Sequence, residues 1–154
     1  MLIRDNEKLP DSVFLPVFGF EYKDPADFYN LISSDEFLND VGQMLKSFAT
    51  ARTVPGIYES DVSPKEVFTS PVSEVFRIKI HGDQAKEATA RAEWENFTKK
   101  LNGKKVLSGV SINLEERLFL GIVGWESLES RTEVEELKKK DLDWEDSFVV
   151  AFST

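Results

Sequence analysis

The sequence predicts an α+β fold of antiparallel sheet and helices, on three observations. From residue 75 onward, strand-like and helix-like stretches follow in the order β-α-β-β-α-β. The first of these stretches alternates strictly: Phe76, Ile78 and Ile80 fall on one face, and Arg77, Lys79 and His81 on the other. That is the period of a half-buried strand. Finally, Phe119-Leu120-Gly121-Ile122-Val123-Gly124-Trp125-Glu126 has an echo in Phe14-Leu15-Pro16-Val17-Phe18-Gly19-Phe20-Glu21. Aligned without gaps, Phe, Leu, Gly and Glu coincide and Trp125 faces Phe20. Read as buried strands running into helices, the two segments make the chain one and a half copies of a single unit.

The chain in order supports this division. Residues 13–22 read as a strand, with Pro16 consigning it to an edge or a bulge. Asp24-Pro25 starts a helix, since Asp caps and Pro is tolerated at the first helical position. Ser33 and Glu36 stand at capping-box spacing for a second start. Phe37, Leu38, Val41, Met44, Leu45 and Phe48 then recur at three and four, so one amphipathic helix is expected to end near Phe48. Residues 52–59 form an irregular strand around Pro55-Gly56. These elements make residues 1–61 a truncated first repeat. Residues 62–73, with Ser63-Pro64 and Ser70-Pro71, read as a linker, and residues 74–154 as a complete repeat.

In that second repeat Asp83 caps a helix whose stripe is Ala90, Trp94, Phe97 and Leu101. Asn102-Gly103 ends it, because Gly takes the left-handed conformation at no steric cost. Residues 106–114 form a strand with Val106, Val110 and Ile112 on one side. The chain reverses at Glu115-Glu116 and returns antiparallel over 117–125. A charged helix over 128–140 and a strand carrying Phe148, Val150 and Phe152 close the chain. The order is that of a ferredoxin-like unit, with both helices on one face of a four-stranded sheet. Its open face must pack on something, and the sheet of the incomplete first half is the economical cover.

Composition bounds the function. The 154 residues, 41% hydrophobic and 31% charged, suit one domain or two half-size units sharing a core. A net charge of −9 disfavours nucleic acid and anionic membranes as partners. There is no Cys, which removes disulfides, zinc–thiolate sites and thiol nucleophiles; with a single His, no metal site is expected. No apolar run approaches the roughly 20 residues of a membrane span, and the N-terminal residues show no signal-peptide core. A cytoplasmic location is the expectation.

The step Gly124-Trp125-Glu126-Ser127, closing the third strand of a ferredoxin-like unit, resembles the antibiotic-biosynthesis-monooxygenase group of dimeric α+β barrels. Tandem-repeat members break the helix after the first such motif into a short helix and a Ser-x-Glu start, and residues 28–36 are similar. The resemblance spans most of residues 13–154. It implies a dimeric α+β barrel, a homodimer, and a small aromatic or apolar ligand. Its members include cofactor-independent monooxygenases acting on phenolic, polyketide-like substrates, haem-degrading enzymes, and proteins without an assigned activity. The haem-degrading branch needs a His on the helix after the Trp, and residues 128–140 contain none.

Several residues are candidates for chemistry. In oxygenase relatives a Trp at the position of Trp125 lines the substrate cavity; Trp94 and Phe97 join it as ligand contacts. Asn113 can hold an enolate or oxygen intermediate by hydrogen bonding, and Arg117 can stabilise a phenolate. His81 can serve as a general base. Each also has a plain structural reading: core aromatics for the first three, hairpin and strand termini for the others. The carboxylates Glu126, Glu129, Glu133, Glu135 and Glu136, with Arg131 and Lys138 to Lys140 behind them, fit a solvated helix matched to its dipole. No cofactor is expected. Three functions remain: a non-catalytic protein of the barrel group binding a small apolar ligand, a cofactor-independent monooxygenase, and an interaction or oligomerisation module.

Overall fold

The computed structural model describes residues 2–4, 7–8, 21–48, 55–132 and 146–151. Its elements in chain order are β1 (Leu2–Arg4), β2 (Glu7–Lys8), α1 (Pro25–Ile32), α2 (Asp35–Asn39), α3 (Val41–Phe48), β3 (Tyr58–Glu59), α4 (Lys65–Phe68), β4 (Val72–Lys79), α5 (Gln84–Thr98), β5 (Lys105–Ser111), β6 (Leu118–Trp125), α6 (Leu128–Thr132) and β7 (Asp146–Ala151). The protein is α+β. Its central strands lie in the order β7-β4-β6-β5, antiparallel throughout, the arrangement of a ferredoxin-like unit. Both α5 and α6 pack on one face, through Ala90, Trp94, Phe97, Leu101 and Leu128.

The short strands extend this sheet instead of building a second one. β1 adds to β7 and β2 to β1, while β3 adds to β5 at the other edge. Among the described residues every strand belongs to this sheet. The strand expected over 13–22 lies mostly outside the described residues, and Glu21 and Tyr22 precede α1 outside any strand.

Residues of the expected linker pack on the face opposite the helices. Residues 62–73 carry α4 and the first residues of β4. Val67 is 1% exposed and packs with Val75, Leu107, Leu120 and Ile122. Pro64 stands at the N-cap of α4, where a missing N–H costs nothing. β4 likewise begins at Val72, three residues earlier than the alternation indicated, because Val72 and Ser73 pair with Trp125 and Gly124.

Caps explain the helix boundaries. Asp83 Oδ1 accepts the N–H groups of Ala85 (2.8 Å) and Lys86 (3.3 Å) at the start of α5. After α5 the chain turns through Asn102 and Gly103, with φ of 45° and 83°. Asp24 caps α1 through the Ala26 N–H (2.8 Å). The next cap is Ser34, not Ser33: its Oγ accepts the Phe37 N–H at 3.2 Å. The single helix expected up to Phe48 is two, α2 and α3, broken at Asp40.

β5 stops at Ser111, where the side-chain Oγ takes the Leu118 N–H (2.8 Å) and closes the hairpin early. Ile112 therefore leaves the buried side on which alternation placed it and is 45% exposed. Of the helix expected over 128–140, residues 128–132 are helical and the remainder lies outside the described residues, as does Phe152. Among the described residues no helix is long and apolar enough to cross a membrane.

Candidate functional site

Trp125, Trp94 and Phe97 are all buried on the helix-covered face. Trp94 sits among Phe76, Phe97 and Phe119 with ring centroids 5.8–6.3 Å apart, the spacing of edge and tilted aromatic packing. Gly121 on β6 makes room for it: a Cβ there would run into the Trp94 ring. Trp125, 1% exposed, donates its indole N–H to Glu74 Oε2 at 3.1 Å. Arg131 closes on the other oxygen, Nε at 2.9 Å and Nη2 at 2.8 Å from Glu74 Oε1. With Glu74 1% and Arg131 7% exposed, a fully engaged ion pair pins α6 to β4. The residues expected to line a ligand cavity are thus occupied in packing, because rings fill the space between α5 and the sheet.

Asn113 is occupied too. Its Oδ1 accepts the Ile57 N–H and its Nδ2 donates to the Pro55 carbonyl, both at 2.8 Å. Together with the Ile112 N–H on the Ile57 carbonyl (2.9 Å), these bonds prolong the pairing of β3 with β5. His81 is exposed in the turn after β4, at φ 50°, and its backbone N–H meets the Arg117 carbonyl at 3.2 Å.

Arg117, by contrast, lines a cleft. A cleft of about 340 Å³ lies between the N-terminal half of α5, the helix-side face of β5, and the loop after β3. Glu87 and Arg91 come from α5, Ser108 and Val110 from β5, Glu59 to Val62 from β3 and its loop, and Arg117 from the turn before β6. Glu87 organises the cations. Arg91 forks onto its Oε1 through Nε (3.0 Å) and Nη2 (2.8 Å), and Arg117 Nη2 lies 3.9 Å from its Oε2. The two arginine side chains are 49% and 45% exposed, and although Arg117 Nε also donates to the Ser111 carbonyl (3.4 Å), each guanidinium has more N–H groups than these bonds use. Ser60 Oγ bonds within its own loop, to the Val62 carbonyl and N–H, and shapes the opposite wall. Arginine donors, acidic acceptors and two valines thus face one space.

Sequence reasoning did not single out Glu74, Arg131, Glu87, Arg91 or the loop of Glu59 to Val62 for function. A carboxylate inside the run Val72-Ser73-Glu74-Val75-Phe76 was a usable signal for the buried pair. The four-residue spacing of Glu87 and Arg91 was one for the cleft. Among the described residues no group of three or more His, Cys, Asp or Glu is placed to hold a metal ion. The chain matches no family model, no curated protein and no solved structure.

Proposed function

We propose that this chain is a non-catalytic α+β barrel protein of the antibiotic-biosynthesis-monooxygenase kind, and that it binds a small hydroxylated aromatic molecule. The single observation that carries the reading is the cleft in which Glu87 holds Arg91 and Arg117 toward Ser108 and Val110. A hydroxylated ring matches that lining. Its oxygens accept from the guanidiniums, its O–H groups donate to Glu59 or Asp61, and its face lies on Val110 or under a stacked arginine. The buried, bonded state of Trp125 and the double bond of Asn113 to backbone support binding over turnover, since neither side chain is free to meet a substrate. The incomplete duplication, the homodimer and the cytoplasmic location implied by the sequence belong to the same proposal.

The test is a panel of phenols and hydroxybenzoates titrated into labelled protein and followed by amide chemical shifts. Shifts should centre on Glu87, Arg91, Ser108 and Arg117, and Arg117→Ala with Arg91→Ala should abolish them while leaving the fold intact. Shifts elsewhere, or unchanged binding by the double variant, refute the assignment. The cofactor-independent monooxygenase is the second reading. Arg117 favours it, standing where a phenolate could be stabilised. Oxygen consumption with any of the phenols, lost in Arg117→Ala, would decide for turnover over binding.

A further inference from the structure

Residues 21–48 form a helical arm of α1, α2 and α3 in which no described side chain is buried. Its apolar residues nonetheless recur at helical spacing: Phe28, Leu31, Ile32, Phe37, Val41 and Leu45 are half-buried, and Tyr29, Leu38 and Met44 are exposed. A stripe of this kind is the face a helix turns toward a core or a partner. Where the three helices meet there is a notch of about 190 Å³, lined by Leu31, Phe37 and Val41 with Ser34, Glu36 and Asp40. Among the described residues neither Glu36 nor Asp40 has a cation partner. The whole arm is acidic, with Glu21, Asp24, Asp27, Asp35, Glu36 and Asp40 against Lys23 and Lys46.

We infer that this notch, independently of the cleft at Arg117, receives a lysine or arginine side chain from an amphipathic basic segment of another protein. An apolar floor with carboxylates at the rim suits the long stem and cationic head of such a residue, which buries its methylenes and keeps its charge at the surface. The acidic charge argues against a second copy as the occupant. An isologous contact would set the carboxylates of one arm against those of the other. A contact with the chain's own lysines on either side of Asn102-Gly103 would have to displace ion pairs already made, because Lys99 pairs with Glu95 (3.8 Å) and Lys104 with Glu126 (3.5 Å). Nucleic acid would meet like charge.

The experiment uses the full chain and a synthetic helical peptide of leucines and lysines at amphipathic spacing, with a leucine–glutamate peptide as control. At low salt the lysine peptide should shift the amides of Leu31, Glu36, Phe37, Asp40 and Val41, and the control should not. Glu36→Gln combined with Asp40→Asn should weaken binding about tenfold and flatten its salt dependence. Phe37→Ala should weaken it also, whereas Glu95→Gln, remote from the arm, should not. Equal binding of both peptides, shifts confined to other elements, or indifference to the double variant overturns the inference. So does a concentration-dependent shift of these same amides without any peptide, which would assign the notch to a second copy.

Discussion

Along α5 the residues Ala90, Trp94, Phe97 and Leu101 recur at helical spacing and are all buried. Along the arm Phe28, Leu31, Ile32, Phe37, Val41 and Leu45 recur in the same way and none is. The two stripes are equivalent in sequence and differ in what the chain brings to them. α5 is tied at both ends to strands of one sheet, through residues 80–83 and 99–104, so its apolar face falls on that sheet. The arm has no such strand at its N-terminal end among the described residues. Amphipathic spacing therefore states that a face needs cover. Whether that cover is intramolecular depends on connectivity.

The comparison breaks most sharply at the buried ion pair, which belongs wholly to the core. Arg131→Ala removes the guanidinium that Glu74 is paired with in the core, and unfolding stability should fall by about 3–5 kcal/mol. Replacing both partners by leucine should restore only part of it, because the desolvation cost of the pair disappears with the charges while the buried Trp125 N–H loses its bond to Glu74. Denaturant titration by tryptophan fluorescence measures both. If amide exchange in the arm accelerates together with the core in Arg131→Ala, the two regions are one cooperative unit and the contrast between them fails.

Gly121→Ala comes next. The added methyl presses on the Trp94 ring, which is held on its other sides by Phe76, Phe97 and Phe119. Overpacking of this kind costs about 1–3 kcal/mol. A smaller residue at Trp94 in the same protein should recover part of the loss, and failure to do so would mean that Gly121 matters for its backbone and not for ring clearance.

Much of the core was legible because its signals are local. The β-α-β-β-α-β order, the caps at Asp24 and Asp83, and the turn at Asn102-Gly103 each follow from neighbours within a few positions. Glu74 was not legible in that way. Ser73-Glu74 interrupts the apolar period, so the alternation starts only at Val75, and the partner that makes a buried carboxylate tolerable lies 57 residues further along. Ser33 and Ser34 both satisfy a capping rule read one position apart, and only backbone geometry selects Ser34. The burial of Val67 was not legible either, because it is one apolar residue among polar ones and depends on Leu120 and Ile122 in β6. In the site, Arg117 was named from its place in the hairpin, but Glu87, Asp61 and Ser108 join it only through tertiary packing.

On the arm side, removing the Ser34 cap should have a purely local effect. Ser34→Ala leaves the Phe37 N–H without its acceptor, and the start of α2 should lose about 1 kcal/mol of helix stability. Far-UV dichroism and exchange of the Phe37 and Leu38 amides should register the change. The global unfolding midpoint should not move, because no buried residue of the core rests on α2. A shifted midpoint would show that the arm is docked on the core more firmly than its exposure indicates.

The smallest effect sharpens the comparison within a single helix. Glu129 is fully exposed in the first turn of α6, and its carboxyl is held below the ordinary glutamate range. The larger cause is the hydrogen bond from its own backbone N–H, followed by one from the Ser127 side chain, with desolvation opposing both. Because the folded-state value is depressed, the contribution to stability is present above the unfolded-state value and is lost as pH falls through the folded one. A side-chain NMR titration should place its midpoint below that of a glutamate in an unstructured peptide. Ser127→Ala should raise the midpoint only part of the way, because the backbone bond remains. The same substitution removes the acceptor of the Ser130 N–H (3.2 Å), so the helical shifts of residues 128–132 must be checked alongside. Glu129→Gln should leave the unfolding midpoint nearly unchanged at neutral pH, since water screens an exposed carboxylate. Arg131, two residues on in the same short helix, should move it more than any other change considered. Both are charged and both are hydrogen-bonded, so burial alone sets their different weights.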